Sequence, residues 1–130
     1  MKYKKFEELP IWKLSLEITR LIYDLTSVPK FNRDFGLRDQ IRRAIISVSS
    51  NIVEGFEKSN NNEFIRFLKI SKGSVGEVRN QLYIAFTVGY IDKREFDKIN
   101  IKLEALASQI GGLTIYLDNH RKNKSVIRNS

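Results

Sequence analysis

Apolar residues recur in steps of three and four along most of the chain, with polar residues filling the opposite faces. Ile11, Leu14, Ile18, Leu21 and Leu25 form the first such stripe, the spacing of an amphipathic helix. Pro10 suits a first helical position, where its missing N–H is no loss. Pro29 predicts the end of that helix, and VPKFNRDF reads as a loop with Asn32 and Asp34 as candidate caps for the next one. A second helix is predicted from about Leu37 to Lys58. The polar cluster SNNNE then marks a turn, and Asn60 with Glu63 predicts a capping box. The third helix carries Phe64, Phe67, Leu68, Val75, Val78, Leu82 and Phe86 on one face, with Gly89 as its C-terminal stop. The fourth has the clearest start. Asp92 and Glu95 form a capping box, and Ile91 and Phe96 stand at the positions of a hydrophobic staple. Phe96, Ile99, Leu103, Leu106, Ile110, Leu113 and Leu117 continue it as a heptad seam, which favours packing at roughly 20°. No stretch alternates with the strand period. The expected fold is all-α, an antiparallel up-down-up-down four-helix bundle over residues 1–120, with a basic, flexible tail at 121–130.

The second helix has more apolar surface than one bundle core uses. At about 100° per residue, Leu37, Ile41, Ala44, Ile45, Val48 and Ile52 form the core arc. Ile46 and Val53 fall nearly opposite. Ser47, Ser50 and Gly55 are small and suit the close approach of another helix. The third helix repeats the pattern, with Ile70 and Ile84 off the core face and Gly73 and Gly76 nearby. A glycine inside a helix costs roughly 1 kcal/mol relative to alanine, so its presence suggests a closely packed backbone. Ile46, Ser50, Val53, Ile70, Gly73 and Ile84 are therefore the candidate subunit interface. The competing reading is scattered surface apolar residues, which are common.

Composition narrows the chemistry. The chain has 130 residues, no cysteine and a net charge of +8. Disulfides, thiolate metal sites and cysteine nucleophiles are excluded. No apolar run reaches the roughly 18 residues of a membrane span, and the N-terminus lacks a signal peptide's apolar segment, so a cytoplasmic protein is expected. The basic excess favours an anionic partner, RNA, DNA or an acidic protein. A di-iron bundle site needs Glu-x-x-His pairs, and the one histidine, His120, follows Leu117 at that spacing. No cofactor or metal is expected. Glu54 and Glu77 can be read as an acid–base pair, but a salt bridge to Arg42 or Arg43 is the plainer account. No phosphate loop, dinucleotide fingerprint or serine–histidine–aspartate set is present.

Residues 36–55, GLRDQIRRAIISVSSNIVEG, carry a resemblance. Gly36-Leu37, Gln40-Ile41, Arg42-Arg43-Ala44, Ser47, Asn51-Ile52 and Glu54-Gly55 are similar to the signature of the bacterial four-helix-bundle proteins encoded in intervening sequences of 23S ribosomal RNA genes. FIRFLKISKGSVGEVRNQL resembles the family's helix-three motif through Phe64, Phe67-Leu68, Gly73-Ser74, Glu77 and Leu82. Phe6, Leu9 and Trp12 fit its N-terminal pattern, so the resemblance spans about residues 3 to 119. It implies a ring-like homopentamer and kinship with the basic, nucleic-acid-associated accessory protein of diversity-generating retroelements. It supplies no catalytic residues. The chain departs at Ser71, where alanine is usual, and at Gly76, which replaces a less flexible residue; both changes leave the fold secure while giving helix three room to loosen.

The function expected from residues and resemblance together is a non-enzymatic homo-oligomer that binds RNA or DNA through a basic surface. Arg42, Arg66, Lys69, Lys72 and Arg79 are the candidate phosphate contacts, since cations on a rigid support need no base-specific geometry. A protein-interaction scaffold that binds no nucleic acid is the main rival, and an enzyme with a site between subunits the weaker one.

Overall fold

The structure is a computed structural model that describes the backbone of residues 2–129 and the side chains of residues 2–120. The basic tail assigned to 121–130 falls outside the described side chains. A 3-10 turn, Phe6–Glu8, leads into α1 (Pro10–Thr26), α2 (Pro29–Asn32), α3 (Phe35–Glu57), α4 (Asn61–Thr87) and α5 (Lys93–Asn129). Four of these helices are long, they form a four-helix bundle, and no strand occurs among the described residues. Each long helix touches two neighbours: α3 lies most extensively on α4, α4 on α5, and α1 closes the ring against α3 and α5.

The caps follow from side-chain chemistry. Asp34 accepts from the Leu37 N–H at 3.1 Å and starts α3. Asn60 accepts from the Glu63 N–H at 3.0 Å and starts α4. At α5 the box is reciprocal: Glu95 N–H donates to Asp92 Oδ1 at 2.8 Å, and Asp92 N–H donates to Glu95 Oε1 at 3.0 Å. Ile91 and Phe96 of the staple are both buried. Helix α4 stops at Gly89, whose φ of +83° is open to glycine without steric cost. Gly89 N–H donates to Phe86 O and Tyr90 N–H to Ala85 O, the paired bonds of a Schellman ending.

Two expectations about the start of the bundle need correction. The segment after Pro29 is not a plain loop. Pro29 opens a one-turn helix, whose Phe31 is fully buried. On α1 the buried face includes Ser15, Ile22 and Thr26, while Leu14 and Leu21 sit half-buried at its edge. Ser15 and Thr26 are tolerated inside because their hydroxyls donate to the helix's own carbonyls, Trp12 O at 2.6 Å and Ile22 O at 2.7 Å. Phe86, expected in the core, is exposed; its ring lies 5.5 Å from that of Phe96.

One serine on the polar arc of α3, Ser47, finds its partner within the chain. Ser47 Oγ lies 2.9 Å from Ser74 Oγ, and Ser71 Oγ donates to Val48 O at 2.8 Å. A Cβ on Gly55 would stand 2.7 Å from Phe67 Cβ and 3.1 Å from Phe64 Cδ1. Residue numbers fall on α3 as they rise on α4 through these contacts, so the two helices run in opposite senses. Gly55 and Ser47 therefore serve the α3–α4 contact rather than a second subunit, and Ser71 ties α4 down where it was expected to loosen it. By contrast, a Cβ on Gly73 or Gly76 would meet nothing within 4 Å. Among the described residues, no other helix packs against those two glycines.

Two outcomes follow. Gly55→Ala forces the Phe64–Phe67 wall outward and lowers unfolding free energy by about 2 kcal/mol in urea titration, whereas Gly76→Ala raises it by up to about 1 kcal/mol. The hydroxyl of Tyr90 donates to Asp34 Oδ2 at 2.9 Å. That bond, then burial and the carboxylate's charge, raises the Tyr90 ionisation above its ordinary value of 10.0. A phenol raised on folding contributes stability that is fully present below about pH 10 and is lost as pH climbs through the higher folded value. Urea midpoints compared between about pH 8 and pH 11 should therefore fall more for the native chain than for Tyr90→Phe.

Candidate functional site

The five cations proposed as phosphate contacts do not form one free stripe. Arg42 sits half-buried between α3 and α1. Its Nε donates to Thr26 Oγ1 at 2.8 Å, its Nη2 to Ser27 Oγ at 3.3 Å, and its guanidinium covers the Tyr23 ring at 4.5 Å. Arg79 spans α4 and α5: Nε donates to Asn100 Oδ1 at 3.0 Å, and Nη2 is 3.8 Å from Glu104 Oε1. Asn100, itself buried, passes the bond on to Glu104 at 2.8 Å. Arg66 pairs with Glu63 at 2.9 Å and lies over Phe67 at 4.5 Å. Lys69 and Lys72 are exposed on α4 and enter no ion pair among the described residues. The ammonium end of Lys72 reaches across to Gly111 of α5, with Nζ closer to it than Cε.

The carboxylates do not behave as expected either. Arg42 bonds the end of α1 and leaves Glu54 alone, and Asp39 pairs with Arg38 at 2.9 Å. Glu77 lines a shallow cleft of about 230 Å³ with Gln40, Arg43, Ala44, Ser47 and Gln81, at the α3–α4 seam. Glu54 lies beyond Ser47, about two helical turns further along α3. The two carboxylates are thus too far apart to share a proton-transfer step, and neither forms the predicted bridge to Arg42 or Arg43. Among the described residues, no group of three or more acidic or imidazole side chains converges on a common point.

The six residues proposed as an interface remain on the outside. Ile46 is 45% exposed, Ile70 43% and Ile84 41%. Ser50 and Gly73 are exposed, and Val53 is half-buried. Ile70, Gly73 and Ile84 share the outward line of α4, while Ile46, Ser50 and Val53 share that of α3. A further surface was missed. On α5, Ile101 is 67% exposed and Ile115 64%, with Tyr116 beside it. The signal was present as a second three-four series, offset from the core seam of the same helix.

A family model described as "23S rRNA-intervening sequence protein" matches residues 7–112. The chain belongs to that family. A solved structure agrees: the crystal structure of a protein with unknown function from the S23 ribosomal protein family of Bacteroides thetaiotaomicron VPI-5482 matches with a TM-score of 0.73 at 21% identity, covering 80% of this chain and 97% of that one. At that identity the likeness speaks for the fold. Comparison with curated proteins finds no match. The match to the 23S rRNA-intervening sequence proteins spans α1, α2, α3, α4 and the first half of α5, so the outward lines of α3 and α4 lie inside it and that of α5 runs past its end at Ile115. Among the described residues, no helix of this family member is long and apolar enough to cross a membrane.

The internal bonds of Arg79 separate its role from that of the lysines. Arg79→Ala should lower unfolding free energy by about 1 kcal/mol, through loss of a half-exposed bond between α4 and α5. Lys69→Ala should change it by less than about 0.5 kcal/mol. Urea unfolding of the two variants measures both.

Proposed function

We propose that this chain is a non-enzymatic, cytoplasmic homo-oligomer, a ring of five by its family resemblance, that holds RNA or DNA by charge and shape. The observation that carries the reading is an excess of eight positive charges on a bundle whose exposed α4 face keeps Lys69 and Lys72 without ion-pair partners among the described residues. Phosphates are attracted by cations on a rigid support without any base-reading geometry. A modest patch repeated around an oligomer gains avidity that a single copy lacks.

A protein-interaction scaffold is the second reading. It is favoured by the internal engagement of Arg42, Arg66 and Arg79, which weakens the candidate phosphate row to two lysines. The apolar lines on α3, α4 and α5 serve either reading.

Affinity for a structured RNA measured against salt concentration separates them. Nucleic-acid binding predicts a log–log slope that is steep and negative, shallower by about 0.9 for each phosphate contact removed. Lys69→Glu with Lys72→Glu should flatten it by about two such steps per engaged copy, with the helical spectrum unchanged. A slope near zero, or no binding at low salt, dismisses the nucleic-acid reading in favour of the scaffold.

A further inference from the structure

Helix α4 carries a complete heptad series on the side away from its core: Arg66, Ile70, Gly73, Glu77, Asn80 and Ile84, every one exposed. Helix α5 carries another: Ile101, Ala105, Ser108, Gly112, Ile115 and Asn119, also exposed throughout. Steps of four and three are the spacing of a seam that meets a partner helix. Each helix already has such a seam turned to the core, and among the described residues these second seams stay exposed.

The two outer seams match each other. On both, isoleucines stand two heptads apart, about 21 Å along a helix. On both, a glycine stands one step inside an isoleucine: Gly73 after Ile70, and Gly112 before Ile115. A Cβ added at either glycine would meet no atom within 4 Å, so each seam has an open notch. Bulk at the ends and a notch near one end make a shape that fits only in one direction.

We propose that the α5 seam of one copy docks antiparallel into the α4 seam of a second copy. Ile115 meets Ile70, Ile101 meets Ile84, and the notch at Gly112 faces the notch at Gly73. Two backbones can approach closely there, which accounts for a glycine kept inside each helix at a cost in helix propensity. Ser108 faces Glu77, a carboxylate that forms no ion pair among the described residues, and its hydroxyl can donate to it. One step past Ile101, Lys98 comes to the C-terminal end of α4 at Thr87, where the helix dipole favours a cation. The parallel register also pairs isoleucine with isoleucine, but it separates the glycines and leaves both notches empty. The occupant is a second copy because both halves of the fit lie on this one sequence.

The contact joins two different surfaces, so each copy keeps one seam for a further neighbour. Head-to-tail contacts of that kind close into a ring or run on as a chain. This inference rests on the oligomer reading above and deepens it by naming the surfaces and their register.

The absence of cysteine makes the test clean. Single-cysteine variants are co-expressed on chains of distinguishable mass, so that any link must join two copies. Gly73→Cys with Gly112→Cys should form a disulfide on oxidation. A short bis-maleimide should join Ile70→Cys to Ile115→Cys and Ile84→Cys to Ile101→Cys. Ile70→Cys with Ile101→Cys, the parallel pairing, should link no better than either variant alone. Ile115→Asp, at a position already largely in water, should keep its helical spectrum and fall to the 15.2 kDa of one copy in light scattering. An oligomeric native chain with the antiparallel pairs unlinked, or with the parallel pair linked instead, overturns this docking and leaves the oligomer reading in place. A native chain that scatters as a single copy at high concentration overturns both.

Discussion

The close approach of α3 and α4 is the constraint on which the rest of the bundle depends. Gly55 leaves no room for a methyl group beside Phe64 and Phe67. Further along, Ser47 meets Ser74, and Ser71 bonds the backbone of α3. Small residues at a helix crossing reduce the distance between the axes, because that distance is set by the side chains at the contact. With α4 seated so near, its large residues Phe64, Leu68, Val75 and Leu82 turn toward the centre, where Ile41, Ile45 and Ile52 of α3 meet them. Helices α1 and α5 then close over that centre. The hydroxyls cost little here because each has a hydrogen-bond partner, whereas an unpartnered buried hydroxyl would cost on the order of 1–3 kcal/mol.

That constraint also explains why isoleucines remain outside. The edge of α3 next to α4 is occupied by small and polar residues, so the core takes its apolar content from a single arc. Ile46 on α3 and Ile70 and Ile84 on α4 lie beyond that arc and keep more than two-fifths of their surface in water in the single chain. They differ from isolated surface hydrophobics in being periodic. On α4 and α5 they recur at heptad positions with glycine between them, and that periodicity, the spacing of a helix-pairing seam, is what the proposed docking rests on.

Most of the fold was legible because its signals are local. Asp34, Asn60 and Asp92 each cap the helix that their position announces, and Gly89 ends α4 through the left-handed conformation that glycine permits. The heptad seam of α5 is buried from Phe96 to Leu117, with Leu113 at its edge. What was not legible depends on tertiary packing. Phe31 looked like a loop residue because only the bundle above it makes its burial possible. Ser15, Thr26, Ser71 and Ser74 are absent from any count of apolar positions, yet they are buried because hydroxyls bonded to nearby partners behave as small fillers. The candidate site was the least legible part. A cation in a sequence does not reveal whether a carboxamide, hydroxyl or ring awaits it, and Thr26, Tyr23 and Asn100 are far in sequence from the arginines they engage.

The same competition shapes any contact with nucleic acid. An arginine held by Asn100 and Glu104 has already exchanged water for a fixed partner, and a phosphate would have to displace that partner. A free lysine meets no such cost, but it is a flexible point charge with limited directional value. Two such lysines on one copy give a weak, non-directional attraction that salt screens over about 10 Å. The proposed α4–α5 docking changes the scale of that field. Repeating the patch at fixed spacing around an assembly places cations from several copies within reach of one extended polyanion, so that each contact raises the effective concentration for the next. On this argument assembly precedes recognition: a chain that could not bury Ile70 and Ile115 against a neighbour would keep its fold and its charge, yet lose the multivalency that makes the charge useful.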